Sequence, residues 1–291
     1  MGSIYLSAEV PHQDRRAPLS AALRRCRRAL DPAGIVGVAA AIGLWYAASA
    51  AVGPTLPAPH LVLDNALGNL FSSQRLPGIG LPRGGYFPHL LWTAYNVLLG
   101  GLIGAAAGIA TGLASAESRL VSDALDPVVT LLGTIPIVIM APFFLMWFGL
   151  SGAAQVALVA IYTASVLHLF AFRGAKNLPP AFTDYAATLG ASPARRFFSV
   201  RLPGAMPEIF GGLRIAFSAA WGLAAVTEML GGQYGSGRVI VALRSVYDLT
   251  AIMAVVLLLG VFAILLDAAI LMLRAYVLRW AVAPGAGEQA R

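Results

Sequence analysis

The chain has 291 residues, 58% of them hydrophobic and 11% charged, with a mean hydropathy of +0.77. An average soluble domain is about 25% charged, so this composition excludes both a water-soluble globule and a disordered chain, and leaves an all-α polytopic membrane protein. The net charge of +7 comes from 20 basic residues set around apolar segments, not from a patch interleaved with aromatics, which excludes nucleic acid as a partner.

In chain order, residues 1–32 form a basic head with Arg15, Arg16, Arg24, Arg25, Arg27 and Arg28. Crossing the hydrocarbon core takes about 20 mainly apolar residues. Six such spans are predicted, at 33–53, 90–114, 124–148, 153–172, 208–230 and 251–273. A cleaved signal peptide is the rival reading of the first, because Ala48-Ser49-Ala50 resembles a cleavage site. Its basic head and apolar run are both longer than a signal peptide needs. Residues 54–89 are rich in Pro and Gly and read as an irregular external segment with a short helix near 61–71. With the N-terminus in the cytoplasm, that side collects 16 basic residues and the outside collects Arg75, Arg83, Arg238 and Arg244. Six spans then return the tail, 281–291, to the cytoplasm.

Cys26 is the only cysteine, which excludes a disulfide framework and a cysteine-based metal cluster. His168 reads as a packed polar residue, since no second ligand stands at metal spacing. Lys176 is the only lysine, in Arg173-Gly174-Ala175-Lys176-Asn177, and lacks the glycine spacing with which a phosphate-binding loop presents its lysine.

Within the spans, four features carry information. Gly100, Gly104, Gly108 and Gly112 recur every four residues on one helix face, where a second backbone can approach closely. Both a sliding contact and a static one fit. Pro127, Pro136 and Pro142 predict a kinked or broken third span, and Pro136 is a candidate for the lining of a cavity. Arg214, Ser218, Trp221, Ala225 and Glu228 share one face of the fifth span. Ser218, Trp221 and Glu228 are candidate pathway residues; a structural Glu228 bonded near a helix end is the alternative. Asp267 reads as structural, paired with Arg274 one heptad on.

The internal loop, 173–207, is the strongest signal. Asp184-Tyr185-Ala186-Ala187-Thr188-Leu189-Gly190-Ala191 predicts a short helix ended by Gly190, and Ser192 a cap for a second helix at Pro193. Ala186, Ala187 and Leu189 offer small apolar surface on the cytoplasmic side, which suits docking into another protein.

Asp184, Tyr185, Ala186, Gly190, Val200, Leu202 and Pro203 resemble the EAA motif of ABC-transporter permeases, Glu-Ala-Ala-x3-Gly-x9-Ile-x-Leu-Pro. Asp, Tyr and Val replace Glu, Ala and Ile, while the spacing from Gly190 to Leu202-Pro203 is intact. Leu125-Asp126-Pro127, Ile135-Pro136, Trp147-Phe148-Gly149, Gly212-Leu213-Arg214, Thr227-Glu228-Met229 and Gly235-Ser236-Gly237 resemble the branch serving nitrate, taurine and alkanesulfonate importers. The likeness covers about residues 90–280. It implies a type I importer permease with six transmembrane helices in the inner membrane of a bacterium. Such a permease pairs with a second copy, as a homodimer, and with two cytoplasmic ABC ATPase subunits and an extracytoplasmic solute-binding protein. ATP and Mg belong to the ATPase; the permease itself binds no cofactor or metal and catalyses no covalent step. Residues 184–191 take the part of its coupling helix, with Ala191, Ser192 and the Val200–Pro203 end of the motif beside it. The implied solute is a small organic anion such as a sulfonate. The sequence alone also admits a proton-coupled carrier using Glu228 and Asp267, and a non-transporting scaffold.

Overall fold

The structure is a computed structural model describing residues 32–280. Most of the basic head, with Cys26 and its six arginines, and the tail 281–291 lie outside the described residues. Among the described residues the fold is helical, with one isolated bridge between Ser73 and Gly84.

Helix α1 (Pro32–Val52) is apolar all round and buries no residue against the rest of the chain. Trp45 in its C-terminal half donates to the Pro57 carbonyl at 3.1 Å. Within 54–89, α2 (Pro59–Gly68) and a single turn, α3 (Arg75–Gly78), interrupt the irregular chain. They are more ordered than the Pro and Gly content suggests, because Val62, Ala66, Leu76, Leu81 and Tyr86 form an apolar core with Val239, Leu243 and Val255 from later in the chain.

Helix α4 (Tyr86–Glu117) is longer than the span read from the sequence. Ser118 ends it and caps α5 (Arg119–Thr134) by accepting from the Val121 N–H. A 3₁₀ turn (Ile137–Met140) and α6 (Ala141–Phe148) follow, bent by 89° from α5. The third predicted span is therefore not one helix. Ile135 is extended before Pro136, as the ring of a following proline demands. Pro142 falls in the first turn of α6, where its missing N–H costs nothing. Among the described residues five helices are long and apolar enough to cross a membrane, and the bent α5–α6 pair makes a sixth if it counts as one span.

Helix α7 (Gly152–Lys176) packs along α4 in the most extensive contact of the molecule. The internal loop holds α8 (Pro180–Thr188), α9 (Pro193–Arg196) and a π turn (Phe197–Arg201). From there α10 (Leu202–Gly231) runs back through the bundle, the short α11 (Ser236–Ser245) lies across its far end, and α12 (Leu249–Val277) closes the fold. Val97, Phe144, Leu158, Phe217 and Trp221 form the central core. Leu113, Ala171, Ala205 and Ile209 form a smaller one beside the internal loop.

Candidate functional site

The internal loop is built from caps. Gly190 has φ +78, a conformation that only glycine adopts without strain. The Gly190 N–H donates to the Ala187 carbonyl at 2.9 Å and the Ala191 N–H to the Ala186 carbonyl at 3.0 Å. Those two bonds close α8 as a Schellman motif. Ser192 then accepts from the Arg195 N–H at 3.3 Å and starts α9 over Pro193. The motif glycine is thus what folds the chain between the two short helices. Asp184, Tyr185 and Ser192 are exposed, while Ala186, Ala191, Val200, Leu202 and Pro203 are half-buried. Of the apolar surface read from the sequence, Ala187 and Leu189 are exposed and Ala186 is half-buried. Large side chains extend it into a rim: Phe182, Tyr185, Leu189 and Phe198 are each 59–71% exposed. At the loop's end Arg201 donates to Glu117, the last residue of α4, at 2.5 Å.

The four glycines of α4 face α7. A Cβ on Gly100, Gly104, Gly108 or Gly112 would lie 2.3–2.6 Å from the carbonyl oxygen of Val156, Ala160, Ala164 or His168 respectively. Both sides step by four residues, so the backbones run in register along one seam. His168, buried in that seam, bonds Thr111 at 3.0 Å through Nδ1 and lies 3.9 Å from Asp126 through Nε2.

Glu228 is 1% exposed and closes a polar knot at the far end of α10. Thr93 donates to its carboxylate at 2.9 Å and in turn accepts the Ser236 N–H at 2.9 Å. The Gly237 N–H donates to Oε2 at 2.9 Å and the Ser236 hydroxyl reaches it at 3.4 Å. His89 Nδ1 accepts the Gly235 N–H at 3.3 Å. The carboxylate therefore sits over the N-terminus of α11 and holds donors that its first turn leaves unpaired. This geometry fits the alternative read from the sequence, a Glu228 bonded near a helix end. Thr93 and His89 were not anticipated, since no periodicity links residues 135 or more apart in the chain; Ser236 stands in the Gly235-Ser236-Gly237 stretch singled out from the sequence, without a partner named for it there. Beside the knot a cavity of about 500 Å³ is lined by Gly80, Leu81, Leu150, Tyr234 and Arg238 among others.

Asp267 does not pair with Arg274. The Arg214 guanidinium grips it as a fork, Nε to Oδ1 at 2.7 Å and Nη2 to Oδ2 at 2.9 Å. The reason is helix geometry: α10 and α12 pack face to face there, with Leu213 and Leu266 both against the central core. Arg214 thus belongs to the bundle and not to the internal loop. Ser218, one turn on, is exposed, as is Pro136 at the α5–α6 break, and Trp221 is buried. Among the described residues no three His, Cys, Asp or Glu side chains gather to hold a metal.

Residues 104–281 match the family described as the binding-protein-dependent transport system inner membrane component. The chain belongs to this family. It is 26% identical over 225 residues to the taurine transport system permease protein TauC of Escherichia coli, covering 77% of this chain and 80% of that protein. It is 27% identical over 249 residues to the nitrate import permease protein NrtB of Synechocystis sp., covering 83% and 87%. Its fold is similar to a chain in the inward-facing MetNI methionine ABC transporter, with a TM-score of 0.60 at 18% identity over 70% of this chain and 99% of that one. The chain is therefore the permease subunit of an ABC importer, and the ATPase is a separate subunit. The resemblance carried by the 184–203 spacing holds.

Proposed function

We propose that this permease carries a small organic anion, a sulfonate by class, working as two identical copies driven through residues 180–203 by a cytoplasmic ATPase. The observation that carries the coupling role is the rim of Phe182, Tyr185, Leu189 and Phe198 on two short capped helices. Large side chains exposed at one point of a polar loop need a groove to bury them, and at about 25 cal/mol per Å² their burial supplies the docking energy. The neighbouring ion pair of Arg201 with Glu117 supports the same reading, since it ties the docked loop to the end of α4.

The anion class is supported by two relatives named for taurine, which carries a sulfonate group, and for nitrate, an inorganic oxyanion. Of the candidate pathway residues, Ser218 and Pro136 are exposed on α10 and at the α5–α6 break, and Trp221 is buried beside Ser218. Glu228 is held in the polar knot. Asp267 holds Arg214 and Glu228 holds three donors, so neither is a free carboxylate for a proton relay. Placing both termini in the cytoplasm follows from the distribution of Arg and Lys.

Two measurements test these readings. Leu189→Ser and Gly190→Val should both leave the permease inserted and paired. Leu189→Ser removes docking surface, and Gly190→Val forces a branched side chain into the left-handed region at about 1–2 kcal/mol. Each should strip the ATPase from the purified complex or uncouple its turnover; wild-type transport in both would sink the coupling role. For orientation, cysteines at the exposed Ser72 and Ser192, in a Cys26→Ala background, should label with an impermeant reagent from opposite sides. Labelling of both from one side would overturn the topology.

A further inference from the structure

Charged side chains inside a span are costly to keep and mark function more often than structure. The Arg214–Asp267 pair lies within the segments 208–230 and 251–273 read as spans. Arg214 stands about 18 Å along α10 from Leu202 and about 25 Å from Gly231, at 1.5 Å per residue. Its surroundings differ from those of a pair sealed into a core. The side chains keep 42% and 31% of their surface exposed. The fork to Asp267 uses two of the five guanidinium N–H groups, leaving donors free on the same face. Arg214, Ser218, Trp221 and Asp267 line one crevice between α10 and α12, walled by Phe217 and Ile270. In this conformation the crevice has no room for a water molecule. Yet the Trp221 Nε1–H, in a side chain only 5% exposed, has no acceptor among the described residues. A buried indole donor normally finds one. Nothing on α10 or α12 supplies it.

One occupant would satisfy all of these groups. We infer that the crevice is an anion-binding site of the permease, in which Arg214, Ser218 and the Trp221 indole bind the tetrahedral oxyanion head of a sulfonate, with Asp267 occupying Arg214 until the anion arrives. The assignment rests on the anion reading above and names the site for it. An oxyanion has the geometry to replace a carboxylate on a guanidinium fork, and its third oxygen is an acceptor for the indole. Phe217 and Ile270 would meet the apolar end. Binding requires α10 and α12 to part enough to admit the head, so the closed crevice is the unloaded state. Asp267 then serves as a competitor: it keeps Arg214 neutralised in the membrane while the site is empty, and prevents the anion from being held too tightly to leave.

The test uses the whole complex with its ATPase in nanodiscs, with Trp45, Trp92, Trp147 and Trp280 replaced by Phe so that Trp221 is the only tryptophan of the permease. The fluorescence change on mixing is recorded against the same complex carrying Trp221→Phe, which removes any ATPase signal. Methanesulfonate is titrated against its uncharged analogue dimethyl sulfone, at constant ionic strength, with and without a non-hydrolysable ATP analogue. A saturable change with methanesulfonate only, in at least one of the two nucleotide states, is expected. Asp267→Asn should tighten it by about tenfold and Arg214→Gln should weaken it by at least that factor. If single variants assemble poorly, the doubly apolar Arg214→Leu/Asp267→Leu complex, which leaves no charge unpaired, should assemble and give no response. Silence in both nucleotide states, an equal response to dimethyl sulfone, or an undiminished response in the double variant would overturn the site. Thermal shift of the partner binding protein with methanesulfonate and taurine separates the two failures. An anion-binding partner beside a silent Trp221 refutes the site alone, whereas a partner that ignores both anions refutes the anion class.

Discussion

Glu228 and Asp267 are both carboxylates inside the bundle, and the fold treats them in opposite ways. Glu228 is almost wholly buried and takes donors from two separate stretches of chain, Thr93 on α4 and Ser236-Gly237 at the start of α11, so its charge is consumed in holding α11 against α4 and α10. Asp267 has a single partner, on one neighbouring helix, and stays partly exposed. A carboxylate whose lone pairs are all spoken for is architecture. One that shares a half-exposed crevice with an under-used guanidinium and an unpaired indole is free to change partners. The comparison separates the part of the permease that must stay fixed from the part that can move.

The largest effect should come from breaking the fixed end. Glu228→Leu leaves the Gly237 N–H unpaired at about 1–3 kcal/mol, and takes the carboxylate away from the Thr93 and Ser236 hydroxyls, which keep only each other and the His89 carbonyl. The complex should lose most of its yield, or several degrees of thermal stability in detergent. Glu228→Gln keeps an acceptor for Gly237 and should recover most of both. Equal behaviour of the two variants would show that charge, and not hydrogen bonding, is what the site needs.

The glycine seam extends the contrast along α4. Gly108→Leu drives a side chain into the Ala164 backbone, 2.4 Å from where its Cβ would stand, and backbone cannot step aside. Overpacking of this kind costs about 1–3 kcal/mol. Gly222→Leu on α10 meets nothing within 4 Å and should leave stability unchanged. Its open face is where a second copy or the pathway would lie, so a defect there should appear in pairing or transport. Matching stability losses in both variants would remove the distinction between a packed seam and an open face.

The sequence makes some of this legible and hides the rest for physical reasons. The seam shows because glycines every four residues have one plain use in a membrane helix. Gly190, Ser192 and Pro193 show because a helix end is a local event, written in the residues at the end. The α5–α6 break shows as prolines, while its 89° depends on what packs around it. Long-range pairing is invisible. Helical spacing offers Asp267 a neighbour on its own helix, Arg274, and cannot see Arg214, 53 residues away in the chain. Likewise it marks Glu228 as unusual without naming Thr93. In the internal loop, attention to the alanines of a spaced motif passes over Phe182 and Phe198, which flank it and which folding leaves on the surface.

The smallest effect on stability should come from the movable pair, and only when both members go together. Asp267→Asn leaves an arginine in the membrane with a neutral partner. Arg214→Leu leaves a carboxylate with none. Either single change should lower the melting temperature of the complex, because an unpaired charge is costly away from water. Arg214→Leu/Asp267→Leu removes both charges and adds apolar contact beside Phe217 and Ile270, residues that already line the crevice. Its stability should return to within about 1 kcal/mol of the wild type, since replacing an ion pair with apolar groups is commonly neutral or better. The coupling between the two changes should exceed 0.5 kcal/mol in a double-mutant cycle, as expected for residues in direct contact. A double variant that is stable yet fails in ATP-driven uptake would place the pair on the moving side of the comparison. One as crippled in stability as Glu228→Leu would place it on the fixed side, and the two carboxylates would then share one role.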